Sequence, residues 1–402
     1  MPKSNVALSN LRGVVIVIVV AFHSSLAYLA SAPAQMAGFD RVPYLWQAFP
    51  IVDRQRWLGL DIFCAWQDVS LMSLMFLLSG LLASGSLLRK GPRAYVYDRL
   101  WRIGLPFALA VVFLSPLSFY PAYLARSAEP NVAEFAKQWI ELPVWPAGPQ
   151  WFLWQLLALN TLAASFYAAT PGYVARLHRL GAWSATRPAK FFGLLIAVSA
   201  IGYVPLALIY SPWSWSAIGP FSLQLSRPLH YFVFFFAGFA LGSYGLDRGL
   251  LARSGPLARN WLIWLGVNIA AFSLWAGLTS LTFPHWNQAS MPAQFLASLA
   301  FPAACASGGI SMLAVCLRFG HWRSRILDSL SANAYSMYML HYVFVVWLQY
   351  TLLSSGLIAA GKMVIVLAGS LIMSWASSLA LNRMAAGPYL VAAKRAILPV
   401  PR

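Results

Sequence analysis

The chain has 402 residues, of which 60% are hydrophobic and only 9% are charged. An ordinary soluble domain carries about 25% charged residues, so there is too little polar surface here to clothe a water-soluble body of this size. The formal net charge is +18. The basic residues recur in short clusters between apolar runs, which argues for a positive-inside membrane protein and against nucleic-acid binding.

A helical span needs roughly 20 apolar residues. Ten segments come close: residues 13–30, 68–88, 103–124, 151–170, 191–211, 228–246, 261–281, 293–317, 330–353 and 358–381. Pro205 and Pro302 fall inside the fifth and eighth and are expected to kink them. With the N-terminus in the cytoplasm, 21 of the 28 basic residues, from Lys3 and Arg12 to Lys394, Arg395 and Arg402, fall on the cytoplasmic side. The other seven are Arg41, Arg54, Arg56, Arg126, Arg227, Lys137 and Lys362. That asymmetry predicts an all-α polytopic membrane helix bundle of about ten transmembrane helices, in one domain, with both termini cytoplasmic. Residues 1–32, ending in Ala30-Ser31-Ala32, also have the outline of a signal peptide. The apolar stretch runs on to Leu29 and cleavage would spoil the even span count, so a retained first span is expected.

The outer loops, residues 31–67 and 125–150, hold most of the acids and are rich in Trp, Tyr and Pro. Their aromatic rings are expected chiefly to anchor at the membrane interface, with sugar stacking as a second use. Cys64, Cys305 and Cys316 have no metal-ligand spacing, so no metal and no disulfide framework are expected.

Ionisable groups inside a bilayer are costly and each is a candidate functional group. Arg12 and His23 in the first span lie 11 residues apart. At 100° per residue that is about three turns plus 20°, so both point the same way, about 16 Å apart along the axis. This puts Arg12 at the cytoplasmic edge and His23 near the midplane. A neutral imidazole there can take a proton from a hydroxyl and return it to a leaving group; a buried packing histidine is the plainer alternative. After the second span come Arg89, Lys90, Arg93, Arg99 and Arg102. Arg99-x-x-Arg102 puts two guanidiniums on one helical face, suited to phosphate oxygens at the depth of a cytoplasmic phosphorylated donor. Span 2 holds Phe76-Leu77-Leu78-Ser79-Gly80, span 4 opens on Gly148-Pro149-Gln150-Trp151-Phe152-Leu153, and span 9 holds Tyr335-x-x-Tyr338-x-x-His341.

With these segments in order, the chain resembles the membrane-bound acyltransferase-3 family nearly end to end. The likeness rests on Leu11-Arg12-Gly13 followed by His23, on residues 76–80, on Arg99-Leu-Trp-Arg102-Ile-Gly-Leu-Pro106, on Trp151-Phe152-Leu153 and on Tyr335 to His341. It departs at Ser73, where many relatives carry an acid, and at Pro149-Gln150, where many carry His-Leu. The resemblance implies transfer of an acyl group, acetyl or succinyl, from cytoplasmic acyl-CoA to a hydroxyl of an extracytoplasmic carbohydrate or glycolipid at a bacterial inner membrane. On this reading His23 is the base, with Arg12 orienting it or binding a CoA phosphate. Arg99, Arg102 and Arg89 hold the donor, and Asp61 or Asp68 is a candidate to orient His23. A transporter or flippase of a small solute or lipid-linked sugar is the alternative; it would also need polar groups within ten spans.

Overall fold

In the computed structural model, which describes residues 5–33, 38–42, 44–170, 172–283 and 285–397, each of the ten expected segments is helical. Lys3 and Arg402 lie outside the described residues, as do the side chains of Lys394 and Arg395. The bundle runs α1 (Val6–Ser25), α2 (Leu58–Lys90), α3 (Pro92–Leu124), α4 (Val132–Glu141), α5 (Trp151–Ala169) and α6 (Tyr173–Thr186). It continues through α7 (Pro188–Tyr210), α8 (Pro228–Tyr244), α9 (Trp261–Thr282), α10 (Met291–Phe319), α11 (Arg325–Thr351) and α12 (Ala359–Ile397). Strands β1 (Trp215–Ile218) and β2 (Phe221–Gln224) pair antiparallel between α7 and α8, the only sheet among the described residues. The chain is an all-α polytopic membrane bundle, with eight helices among the described residues long and apolar enough to cross a bilayer. The remaining two expected spans are α8, with 17 residues, and α11, whose 27 residues include Asp328, Asn333 and several serines.

Helix α1 starts seven residues before its predicted position because Asn5 caps it, its side chain accepting from the Ala7 and Leu8 amides. It ends at Ser25, followed by a 3-10 turn at Leu26–Tyr28. The carbonyls at a helix C-terminus lack intrahelical donors. Here Gln349 of α11 donates to the His23 and Ser24 carbonyls at 3.0 and 3.3 Å. The Asp53 and Trp57 amides donate to Ala27 and Tyr28. The end of α1 is therefore held by α11 and by the loop before α2.

Helices α2 and α8 approach through glycine. A Cβ on Gly80 would meet the Phe235 carbonyl, one on Gly238 the Leu77 carbonyl, and one on Gly242 the Leu81 carbonyl. Small residues at such points let backbones touch. This is the physical reason for glycine at the end of the Phe76–Gly80 segment.

Helix α3 is remodelled by prolines. Leu100–Gly104 and Ala110–Leu114 are π-helical, just ahead of Pro106 and Pro116. Pro106 has no N–H for the Arg102 carbonyl, and the Tyr335 hydroxyl donates to it instead at 2.8 Å. Pro121 likewise leaves the Leu117 carbonyl, which the Trp347 indole N–H reaches at 3.0 Å. Both donors belong to α11, which thereby clamps α3.

Part of the outer loops folds into an aromatic cap, while Trp57, Trp66 and Trp145 stay exposed. Phe39 stacks on Trp46 at 4.3 Å, and Trp46 meets Phe119 while Phe135 meets Trp139. Trp46, Phe39, Tyr123 and Phe135 are buried. The aromatic content of these loops makes a small core of its own. Arg126 anchors it by donating to the Phe49, Pro50 and Ala122 carbonyls, and burial pushes its pKa down to about 10.

Candidate functional site

Four helices close a ring around His23. Across α1 and α11, His341 Nε2 lies 3.2 Å from His23 Nδ1. Between α11 and the start of α5, the Tyr338 hydroxyl donates to the Pro149 carbonyl and Gln150 Nε2 to the Met339 carbonyl at 3.0 Å. The Phe152 ring of α5 meets Phe76 of α2 at 4.8 Å. Cys64 Sγ of α2 lies 3.9 Å from the Phe22 carbonyl oxygen of α1. Thus Tyr338 and His341 of the Tyr335–His341 segment each bind a different wall of this ring.

Backbone carbonyls fix the protons of the two imidazoles. His341 Nδ1 faces the Tyr338 carbonyl oxygen at 2.7 Å. A carbonyl only accepts, so in the neutral ring Nδ1 carries the hydrogen and Nε2 presents a lone pair. His23 Nδ1 lies 2.9 Å from the Val19 carbonyl and faces that lone pair. Its N–H donates to both, and His23 Nε2 is left as the open basic nitrogen. The rings pack at 5.0 Å, with Tyr342 edge-on to His23 at 5.3 Å and Phe119 beyond it. The outer aromatic cap is thereby continuous with the site.

His23 stands in the last turn of α1, nearer its outer end than the midplane position expected from sequence. The difference follows from where the helix begins and stops. Arg12 is exposed near the other end of the same helix, about 16 Å away along the axis, too far to orient the ring directly.

Neither predicted acid orients His23. Asp61 accepts from the Ala30 and Ser31 amides at 2.8 and 2.9 Å. Asp68 takes a bidentate bond from Arg227, at 2.8 and 2.6 Å. The orienting groups are the Val19 carbonyl and His341. The departure at Ser73 also has a partner: its hydroxyl lies 2.9 Å from His230 Nε2, whose Nδ1 lies 2.5 Å from Ser199. Sequence reasoning passed over His230, because a lone histidine in a Phe-rich helix carries no motif. Gln150, standing where many relatives have a leucine, keeps a buried Oε1 with no partner among the described residues.

The basic cluster gathers at the start of α3. Asp98 binds Lys90 at 2.7 Å and Arg102 Nε at 2.8 Å. The Arg99 guanidinium lies over the Tyr95 ring at 4.7 Å, and the Tyr95 hydroxyl donates to Asn160. Because Leu100–Gly104 is a wider π turn, Arg99 and Arg102 do not share an environment as α-helical spacing predicted: Arg99 is half-buried and Arg102 exposed. Arg89 is exposed at the end of α2.

A family model described as an acyltransferase domain, acyltransferase-3, matches residues 5–379. Comparison with curated proteins and with solved structures returns no match.

Proposed function

The chain belongs to the acyltransferase-3 family, and from that premise we propose that it moves an acyl group from acyl-CoA to a hydroxyl of an extracytoplasmic carbohydrate or glycolipid, with His23 as general base. The observation that carries this reading is the open Nε2 of His23, on a ring whose other nitrogen is held by Val19 and His341. Family membership also favours an enzyme over a transporter or flippase.

In the proposed reaction, His23 Nε2 takes the proton of the acceptor hydroxyl as its oxygen bonds to the thioester carbonyl carbon. The C–S bond then breaks and the departing CoA sulfur receives that proton from the imidazolium. During the transfer Nδ1–H donates more strongly to Val19 O and His341 Nε2, which stabilises the transient positive charge. Arg99, Arg102 and Arg89 suit the phosphates of the donor, since guanidiniums pair with phosphate oxygens in two-point contacts. Arg12, exposed on the same side by the charge asymmetry, fits phosphate binding better than it fits orienting His23. The acyl group is acetyl or succinyl on the family likeness, and the membrane a bacterial inner membrane.

His23→Ala is expected to lower acyl transfer by about 10²–10⁴-fold while the protein still inserts and unfolds at the wild-type temperature. The measurement is mass spectrometry of envelope glycans from cells carrying either form. Normal glycan acylation by the variant would end the proposal.

A further inference from the structure

Six partly buried side chains of α2 trace one stripe, while Phe63, also partly buried, lies on the opposite face. Asp61, Ala65, Asp68, Met72, Met75 and Ser79 are all intermediate in exposure. At 100° per residue they cover a band about 80° wide. Cys64, against α1, and Phe76, against α5, bracket that band, about 120° apart. The stripe therefore faces the space enclosed by α1, α2, α5 and α11, the space His23 borders. The Cys64–Phe22 contact also fixes the level: Asp68 is one turn, about 6 Å, below the neighbour of His23.

Asp68 is built differently from an internal ion pair of the same chain. Lys362 and Asp53 are both sealed, at 1% side-chain exposure each. In the Asp68–Arg227 pair the arginine is 4% exposed and the carboxylate 38%. Both terminal nitrogens of Arg227 are committed to the carboxylate, and its guanidinium packs over Phe301 at 4.8 Å with the Tyr231 hydroxyl at 3.4 Å. One face of the carboxylate is thus held rigidly, and each oxygen keeps a lone pair toward the enclosed space. A fixed carboxylate repels the phosphates of a donor and finds no O–H on a thioester. It suits a neutral ligand that offers adjacent hydroxyls.

We propose that the Asp68–Arg227 pair is a recognition site for a sugar or similar polyol, whose hydroxyls donate to Asp68 while another hydroxyl is placed at His23. This rests on the acyl-transfer reading above.

The test uses the full-length protein in lipid nanodiscs, alkali-deacylated envelope glycans as acceptor, and acetyl-CoA or succinyl-CoA as donor. Asp68→Asn keeps the shape and replaces an acceptor with an N–H donor. It is expected to raise the KM for glycan about 10–100-fold, the worth of a hydrogen bond to a charged group, with donor KM within about twofold of wild type. Asp68→Glu keeps the charge but moves the oxygens by one methylene; it should retain the melting temperature and also raise glycan KM. Unchanged glycan KM in both variants, or a parallel rise in donor KM with a fall in melting temperature, would overturn the site and leave the function standing. A wild-type protein that acylates no deacylated glycan would instead overturn the function.

Discussion

His341 and His23 are 318 residues apart in sequence, and their contact shows what a single helix can and cannot reveal. Arg12 and His23 share α1, so their alignment follows from helical rotation alone. The partner of His23, and the loss of Asp68 to Arg227, depend on which helices pack together, which no spacing rule supplies. If the role of His341 is to support the charge that His23 gains during transfer, what it must offer is a lone pair at Nε2. His341→Gln puts an amide oxygen near that position and His341→Leu removes it. The leucine variant leaves the Val19 carbonyl as the remaining partner of Nδ1–H and is expected to lose about 10–100-fold in kcat, the worth of a hydrogen bond to a charged group, with KM values little changed. The glutamine variant should retain kcat within about tenfold of wild type. Steady-state kinetics of both forms decide it; equal losses would mean that His341 does more than accept.

At the scale of helices, each of the ten segments read from the sequence is helical, eight of them lying in helices long and apolar enough to span, but how the helices touch was not legible. Proline and glycine carry most of that missing information. Pro106 and Pro121 could be read as helix disturbances, yet their consequence is positive: each frees a carbonyl that a side chain of α11 then binds. The tyrosine at 335 thus joins α11 to α3. Glycine acts through closeness. Gly238 lies against the Leu77 backbone, and a methyl group there meets a carbonyl that belongs to a helix and cannot swing away. Gly238→Ala is therefore expected to cost about 1–3 kcal/mol, the usual penalty of overpacking, seen as a lower melting temperature in detergent. Gly266, with open space at its Cβ position, is the control: alanine there should leave the transition where it is or raise it slightly, since alanine favours helix over glycine.

Across the whole molecule, four of the seven basic residues assigned to the outer side are not simply surface charge, whereas Arg41, Arg54 and Lys137 are exposed. Arg56 binds the Ala32 and Pro33 carbonyls, Arg126 anchors the aromatic cap, Arg227 holds Asp68, and Lys362 is sealed against Asp53. These cations are internal ligands of the outer structure, so they weigh little against the positive-inside asymmetry of the rest. The Lys362–Asp53 pair links α12 to the loop whose Asp53 and Trp57 amides close the end of α1, four and five residues from His23. Removing one member leaves a buried charge alone, at a cost of about 3–5 kcal/mol, whereas replacing both with apolar groups is often neutral or stabilising. Lys362→Met should accordingly lower the melting temperature strongly. Adding Asp53→Leu to it should recover most of that loss, because the stranded carboxylate is gone. Activity separates the two contributions further. The Asp53 amide, which bonds the Ala27 carbonyl, survives in the double variant, so glycan acylation should return together with stability. Recovered stability without recovered acylation would mean that the ion pair itself, and not the loop it secures, sets the position of His23.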